Sequence, residues 1–161
     1  MSAGSWTLTK AVFALLTSKG VEANIKRRWK NTNDRERFRA VWKNRVRPGC
    51  PFPRVVYSIP SDTRVSGSSG ADDNGQNEVD YRSALIQFRC YSTVEQGEGL
   101  AVATAEIVVA AFESIKLDFS SSTANHIVTI RQGDIEGRDD EDNYFVGPQY
   151  QVDYEYHRPI L

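Results

Sequence analysis

The chain has 161 residues, 20 Lys+Arg against 21 Asp+Glu, and a formal net charge of −1. That length supplies one domain with room to bury a core, and the near-zero charge argues against a dedicated nucleic-acid binder, which usually carries a basic excess. A content of 40% hydrophobic and 11% aromatic residues excludes a wholly disordered chain.

No apolar run reaches the roughly 18–20 residues that span a bilayer; the longest, Leu100 to Phe112, is interrupted by Thr104 and Glu106. The first twenty residues lack a basic start and their apolar patch is broken by Lys10, so no secretory signal is expected. Cys50 and Cys90 are too few to staple a secreted fold; two reduced thiols are expected, with one disulfide left open.

Ser5 to Lys19 carries Leu8, Val12, Leu15 and Leu16 at helical spacing, with Ser5 placed to cap the start and Gly20 to end the helix in a left-handed turn. A second helix is predicted from Asn33, with Glu36 three positions on and Phe38, Val41, Trp42 and Val46 on one stripe, closed by Pro48 and Gly49. The proline-bracketed segment from Arg54 to Ile59 permits a short strand near a sheet edge. Residues 61–77 are rich in Gly, Ser, Asp and Asn, and Asn74-Gly75 offers a type I′ turn, as in a hairpin arm or a loop.

Val79 to Ser92 alternates, with Ala84, Ile86, Phe88 and Cys90 on one face, and is the strongest strand signal in the chain. The helix that follows is apolar on nearly every side from Ala101 to Phe112, so it is expected to be covered twice: by the sheet, and by another helix or another subunit. His126 to Ile135 and Gln149 to His157 supply two closing strands, separated by an acidic hairpin at 137–147. The order predicts one α+β domain over residues 1–161, a largely antiparallel four-stranded sheet with helices packed on one face and two protruding arms.

Catalytic and metal-binding patterns are thin. His126 and His157 have no ligand-spaced partners, and the carboxylates Asp134, Glu136, Asp139, Asp140, Glu141 and Asp142 lack the order of a calcium loop. Gly97-Glu98-Gly99 lacks the lysine and third glycine of a phosphate loop. No GxSxG elbow occurs, so neither enzyme activity, cofactor nor metal is expected.

The charges are segregated. Between Lys26 and Arg47 stand ten basic residues, among them Arg27, Arg28, Arg35, Arg39, Arg45 and Arg47, against two acids, a local balance of plus eight; Asp134 to Asp142 carries minus five. Three readings of this polarity compete: a phosphate-binding face with Trp29, Phe38 or Trp42 as stacking platforms, a solvated surface, or a head-to-tail contact between subunits. Phe38 and Trp42 share the apolar stripe and read first as core.

The N-terminal helix WTLTKAVFALLTSKG, the proline-flanked strand with its polar insertion PFPRVVYSIPSDT, the long strand VDYRSALIQFRCYS running into the helix EGLAVATAEIVVAAFESI, and the two closing strands together resemble the tail terminator (tail completion) proteins of long-tailed bacteriophages. The resemblance covers roughly Trp6 to His157 and rests on an order of elements. The basic segment 26–47 is longer than that pattern needs.

What the resemblance implies is a non-enzymatic virion protein, assembled in the host cytoplasm into a ring, expected to be hexameric. Such a ring caps the tail tube protein, stops its polymerisation and joins a head-tail connector or neck protein, with DNA only as cargo in its lumen and no membrane contact. Neck adaptor, stopper or minor tail protein is the alternative, and a small nucleic-acid-binding module a more distant one. The interface candidates are Arg27, Arg28, Arg35, Arg39, Arg45, Arg47, Asp72, Asp73, Val108 and Phe112; Asp139, Asp140, Glu141 and Asp142 are candidates for a lumen-facing or partner-facing acidic tip.

Overall fold

A computed structural model describes residues 3–65, 70–71, 77–113, 117, 119 and 124–159. The elements are α1 (Ala3–Ser18), α2 (Val21–Lys26), α3 (Asp34–Arg37), β1 (Val41–Lys43), β2 (Arg54–Arg64), β3 (Gly70–Ala71), β4 (Asn77–Ser92), α4 (Glu98–Glu113), β5 (Ala124–Arg138) and β6 (Tyr144–Pro159). The class is α+β, as expected. The sheet is larger than four strands: five run in the order β1-β2-β4-β6-β5, and the two-residue β3 adds to β4. Among the described strands β1 alone is parallel to its neighbour; the other pairings are antiparallel.

The additional strand comes from the segment expected to be the second helix. Only Asp34–Arg37 is helical there. From Phe38 the chain is extended: Val41 pairs with Val55, the Ala40 carbonyl accepts from Val55 N–H at 2.8 Å, and Asn44 N–H donates to the Tyr57 carbonyl at 2.9 Å. The apolar spacing at Phe38, Val41 and Trp42 fits one helical stripe, but it also permits a short strand that buries Phe38, Ala40 and Val41. Pairing with β2 decides between them, as tertiary contacts commonly override local propensity.

Two boundaries move, and one expected turn is in place. Helix α1 begins at Ala3, so Ser5 lies inside the helix and does not cap it. Gly20 does adopt the left-handed conformation (φ 66°) and hands the chain directly to α2, where its carbonyl accepts from Asn24 N–H. Strand β2 runs past Pro60 to Arg64: the register steps from Ser58↔Gln87 to Ser61↔Leu85, so Ile59 and Pro60 bulge opposite one residue, and the proline owes the ladder no N–H.

The core lies between the helices and one face of the sheet. Phe88, on the central strand, meets Phe112 edge-on at 5.3 Å and Tyr57 at 5.7 Å, while Phe112 stacks on Tyr150 at 4.6 Å. Each such ring contributes about 1.5–3 kcal/mol through burial, and pair geometry adds about 0.5–1.5. Cys50 and Cys90 are both free thiols, buried apart in this core. At the far end of the sheet the core becomes polar. Asp62 accepts from Arg82 Nε at 2.9 Å and from the Tyr154 hydroxyl at 2.6 Å, so that β2, β4 and β6 are joined by one buried carboxylate.

The Tyr150 hydroxyl is buried and finds no hydrogen-bond partner among the described residues. An unsatisfied buried hydroxyl costs about 1–3 kcal/mol. Tyr150→Phe keeps the stacked ring and is expected to leave stability unchanged or raise it by about 1 kcal/mol; a clear drop in the urea midpoint would contradict this.

Candidate functional site

The ten basic residues of 26–47 divide into structural ties and solvent-facing charges. Arg35 donates from Nε to the Lys26 carbonyl (3.0 Å) and from Nη2 to the Arg27 carbonyl (3.3 Å), and Lys26 Nζ returns a bond to the Arg35 carbonyl at 2.8 Å. These bonds lock α2 against α3. Arg37 and Arg47 cover the Phe38 ring at 5.4 and 5.6 Å, and Lys43 donates to Thr9 Oγ1 at 2.8 Å. Arg27, Arg28, Lys30 and Arg45 are exposed.

The proposed stacking platforms are taken by the fold. Trp29 is buried with its indole N–H donating to the Pro53 carbonyl at 2.8 Å, Phe38 is buried under its two arginines, and the half-buried Trp42 donates to the Arg39 carbonyl. Trp29 and Phe38 are therefore not placed to receive a base, and Trp42 keeps part of its surface exposed.

Helix α4 has two distinct faces, although its sequence is apolar all round. Val108 and Phe112, expected as subunit contacts, are 0% and 5% exposed and belong to this chain's own core, together with Ala101, Thr104, Ala105 and Ala111. The buried Thr104 hydroxyl is satisfied by the Leu100 carbonyl at 2.7 Å. The outward flank is Val102, Glu106, Val109, Ala110 and Glu113. With Arg131 and Asp134 of β5 and Val146 and Pro148 of β6 it borders an open groove of about 450 Å³. Arg131 spans the groove's floor, 2.7 Å from Asp134 and 3.8 Å from Glu113. The sheet supplies the first expected cover and α1 and α2 part of the second; no described element covers the groove side.

At the opposite flank, α1 exposes Trp6 (55%), Lys10 and Phe13 (41%) at i, i+4 and i+7. Lys10 Nζ lies 5.9 Å from the Trp6 ring centre. The Arg39 guanidinium lies 4.4 Å from that of Phe13 while pairing with Glu22 at 3.6 Å. The sheet's other face is covered by no described element. It presents Gln87 bonded to Gln149 (2.8 Å), Gln151 bonded to Ser83 (3.2 Å) and to Asp153 (3.1 Å), and Gln132 bonded to Gln151 (3.2 Å), with the half-buried charges Arg54, Arg89, Asp153 and Glu155 on the same face.

The acidic hairpin is not a protruding arm. Strands β5 and β6 pair as far as Arg138↔Tyr144, which reduces the tip to 139–143. Asp139 is turned inward, accepting from the backbone N–H groups of Glu141 and Asn143 and from the Asn143 amide. Burial opposes its charge, but these bonds hold the carboxyl below its ordinary range. Arg138 ties the tip to Glu98 at the start of α4 (2.9 Å) and lies 3.7 Å from Asp142. Asp140, Glu141 and Asp142 face solvent. Asp139→Ala is expected to cost about 1–2 kcal/mol. Because the folded carboxyl is depressed, its contribution is present above about pH 4 and is lost as the pH falls through its folded value. Urea midpoints of wild type and variant should therefore converge in acid.

Asp72 and Asp73, like Asn74-Gly75, lie outside the described residues; of the 61–77 arm, β2 claims residues up to Arg64, and β3 and the start of β4 are also strand. Among the described residues no group of three or more His, Cys, Asp and Glu is arranged to hold a metal ion, and no helix is long and apolar enough to cross a membrane. Sequence reasoning missed the α1 stripe and the amide face, and it placed the open side of α4 at Val108 and Phe112 instead of Val102, Glu106 and Val109. Their signals were present, in the spacing of Trp6, Lys10 and Phe13 and in the polar residues, Ser83, Gln87, Gln149 and Gln151 among them, that alternate with core residues along β4 and β6. Comparison with protein-family models and with curated proteins finds no match to this chain.

Proposed function

We propose that this chain is a structural subunit of a phage tail terminator, a ring that caps the tail tube, stops its growth and presents a surface to the neck of the head. The observation that carries this reading is the distribution of unfinished surface. The described helices cover a single face of the sheet, and among the described residues the helical layer leaves apolar residues flanked by charge open at two opposite sides. A self-sufficient globule has no use for such flanks, whereas a wedge in a ring has neighbours to cover them. The solvent-facing arginines and the 140–142 tip are then available to the tube below and the neck above.

Mass photometry of the purified chain, alone and with tail-tube ends, tests this reading. Rings, or one ring bound per tube end, are expected; a strict monomer that also fails to bind tube ends overturns it. Particles assembled without the protein should carry overlong tails. Filled heads that leak DNA would instead indicate a neck stopper.

A further inference from the structure

We propose that the α1 stripe of one copy of this chain seats on the α4 groove of the next, with Lys10 set against Glu106 between matched apolar pairs. This rests on the ring reading and names the contact that would build the ring. On α1, Trp6, Lys10 and Phe13 stand at i, i+4 and i+7; on α4, Val102, Glu106 and Val109 stand at the same spacing, and all except the half-buried Val109 are exposed. Both stripes therefore read apolar, charged, apolar over two helical turns, with opposite charge at the centre.

The surroundings extend the match. Arg39, over the Phe13 ring, adds a second cation beside the stripe, although Glu22 already pairs with it. The groove adds Glu113 and Asp134 against the single cation Arg131. The stripe side is net positive and the groove side net negative.

Placement in the fold makes the contact head-to-tail. Stripe α1 lies at the β1 end of the sheet, where Lys43 reaches Thr9 and Arg39 reaches Phe13; the groove lies at the β5 end. Neither flank complements itself, because two stripes would oppose lysines and two grooves would oppose glutamates. A two-fold dimer is therefore disfavoured, and a repeating heterologous contact uses one complementary pair per subunit. A second copy is the favoured occupant because the same chain carries both halves of the match.

Charge reversal on the full chain tests the contact. Lys10→Glu and Glu106→Lys each place like charges in it and are expected to lower the association constant by about 100-fold or more. Both sites are exposed, so the Tm of each variant should match wild type. Mixing the two single variants pairs an acidic stripe with a basic groove, and a basic stripe with an acidic groove. The mixture should regain assembly in mass photometry as alternating rings, and so should the double variant. A chain that assembles regardless of either reversal, or a mixture that stays monomeric, overturns this contact and leaves the ring reading standing. A wild-type chain that stays monomeric at its solubility limit also overturns the contact, while the ring reading is then decided separately by binding to tube ends.

Discussion

Replacing Gly147 by alanine is expected to cost about 4 kcal/mol or more of folding stability, enough to unfold a large fraction of a marginally stable chain. Gly147 sits in β6 where its register against β4 is interrupted, between Gln87↔Gln149 and Cys90↔Val146. There the strands approach so closely that an added Cβ would land on the Phe88 carbonyl oxygen, 2.6 Å from its carbonyl carbon and 3.3 Å from Arg89 N. The obstacle is backbone, which cannot rotate aside as a side chain can. Nor can β4 retreat, because Tyr57 and Val56 of β2 hold Phe88 and Arg89 from the other side, and Gly147 is itself paired with Ile135 of β5. The alanine must push apart three strands around Phe88, the ring on which the aromatic core converges. Gly99→Ala is the matched control: nothing lies within 4 Å of its Cβ position in the first turn of α4, and helix propensity favours alanine by up to about 1 kcal/mol. Urea titration of both variants decides the matter, and a Gly147→Ala midpoint equal to wild type would refute the close approach.

The same position shows where sequence reading reaches its limit. The apolar alternation of Ala84, Ile86, Phe88 and Cys90 announces a central strand because every second residue is buried, and the structure places all four in the core. That Gly147 must be glycine depends on the distance to a strand almost sixty positions earlier, which no local pattern encodes. The segment 33–46 fails for a related reason. Its apolar spacing satisfies a helical stripe and a short strand alike, and only the free edge of β2 selects between them.

Helix α4 illustrates the converse case. Its all-round hydrophobicity correctly indicated that one side would be left over after packing on the sheet, yet it assigned the leftover to Val108 and Phe112. Those two face inward because Phe112 completes the stack on Tyr150 and Phe88. Composition reveals how much apolar surface a helix must dispose of; direction is set by which residue fits the aromatic hole beneath it. The charge tally behaves likewise, since a near-zero sum conceals a basic segment whose arginines partly serve as internal ties.

Stability is expected to fall steeply on the alkaline side. Burial pushes the Tyr150 phenol up to about 12, opposed only in part by nearby Arg131, and burial raises Tyr154, Tyr57 and the Cys90 thiol in the same direction. In the unfolded chain thiols titrate near about 8.5 and phenols near about 10. Below those values both states hold their protons and stability is independent of these groups. Above them the unfolded chain releases protons that the folded chain still binds, so each group loses about 1.4 kcal/mol of stability per pH unit until its folded value is reached. Tyr150 alone accounts for about 3 kcal/mol between about pH 10 and pH 12, and the other buried groups act with it. The urea midpoint should be level from neutrality to about pH 8.5, decline above that, and reach spontaneous unfolding in strong alkali. Tyrosinate absorbance from the buried rings should rise together with the loss of structure, and Tyr150→Phe should soften the decline. A midpoint that stays level through pH 11, or buried-ring ionisation that precedes unfolding, would contradict the packing of Tyr150 against Phe112 and Phe88.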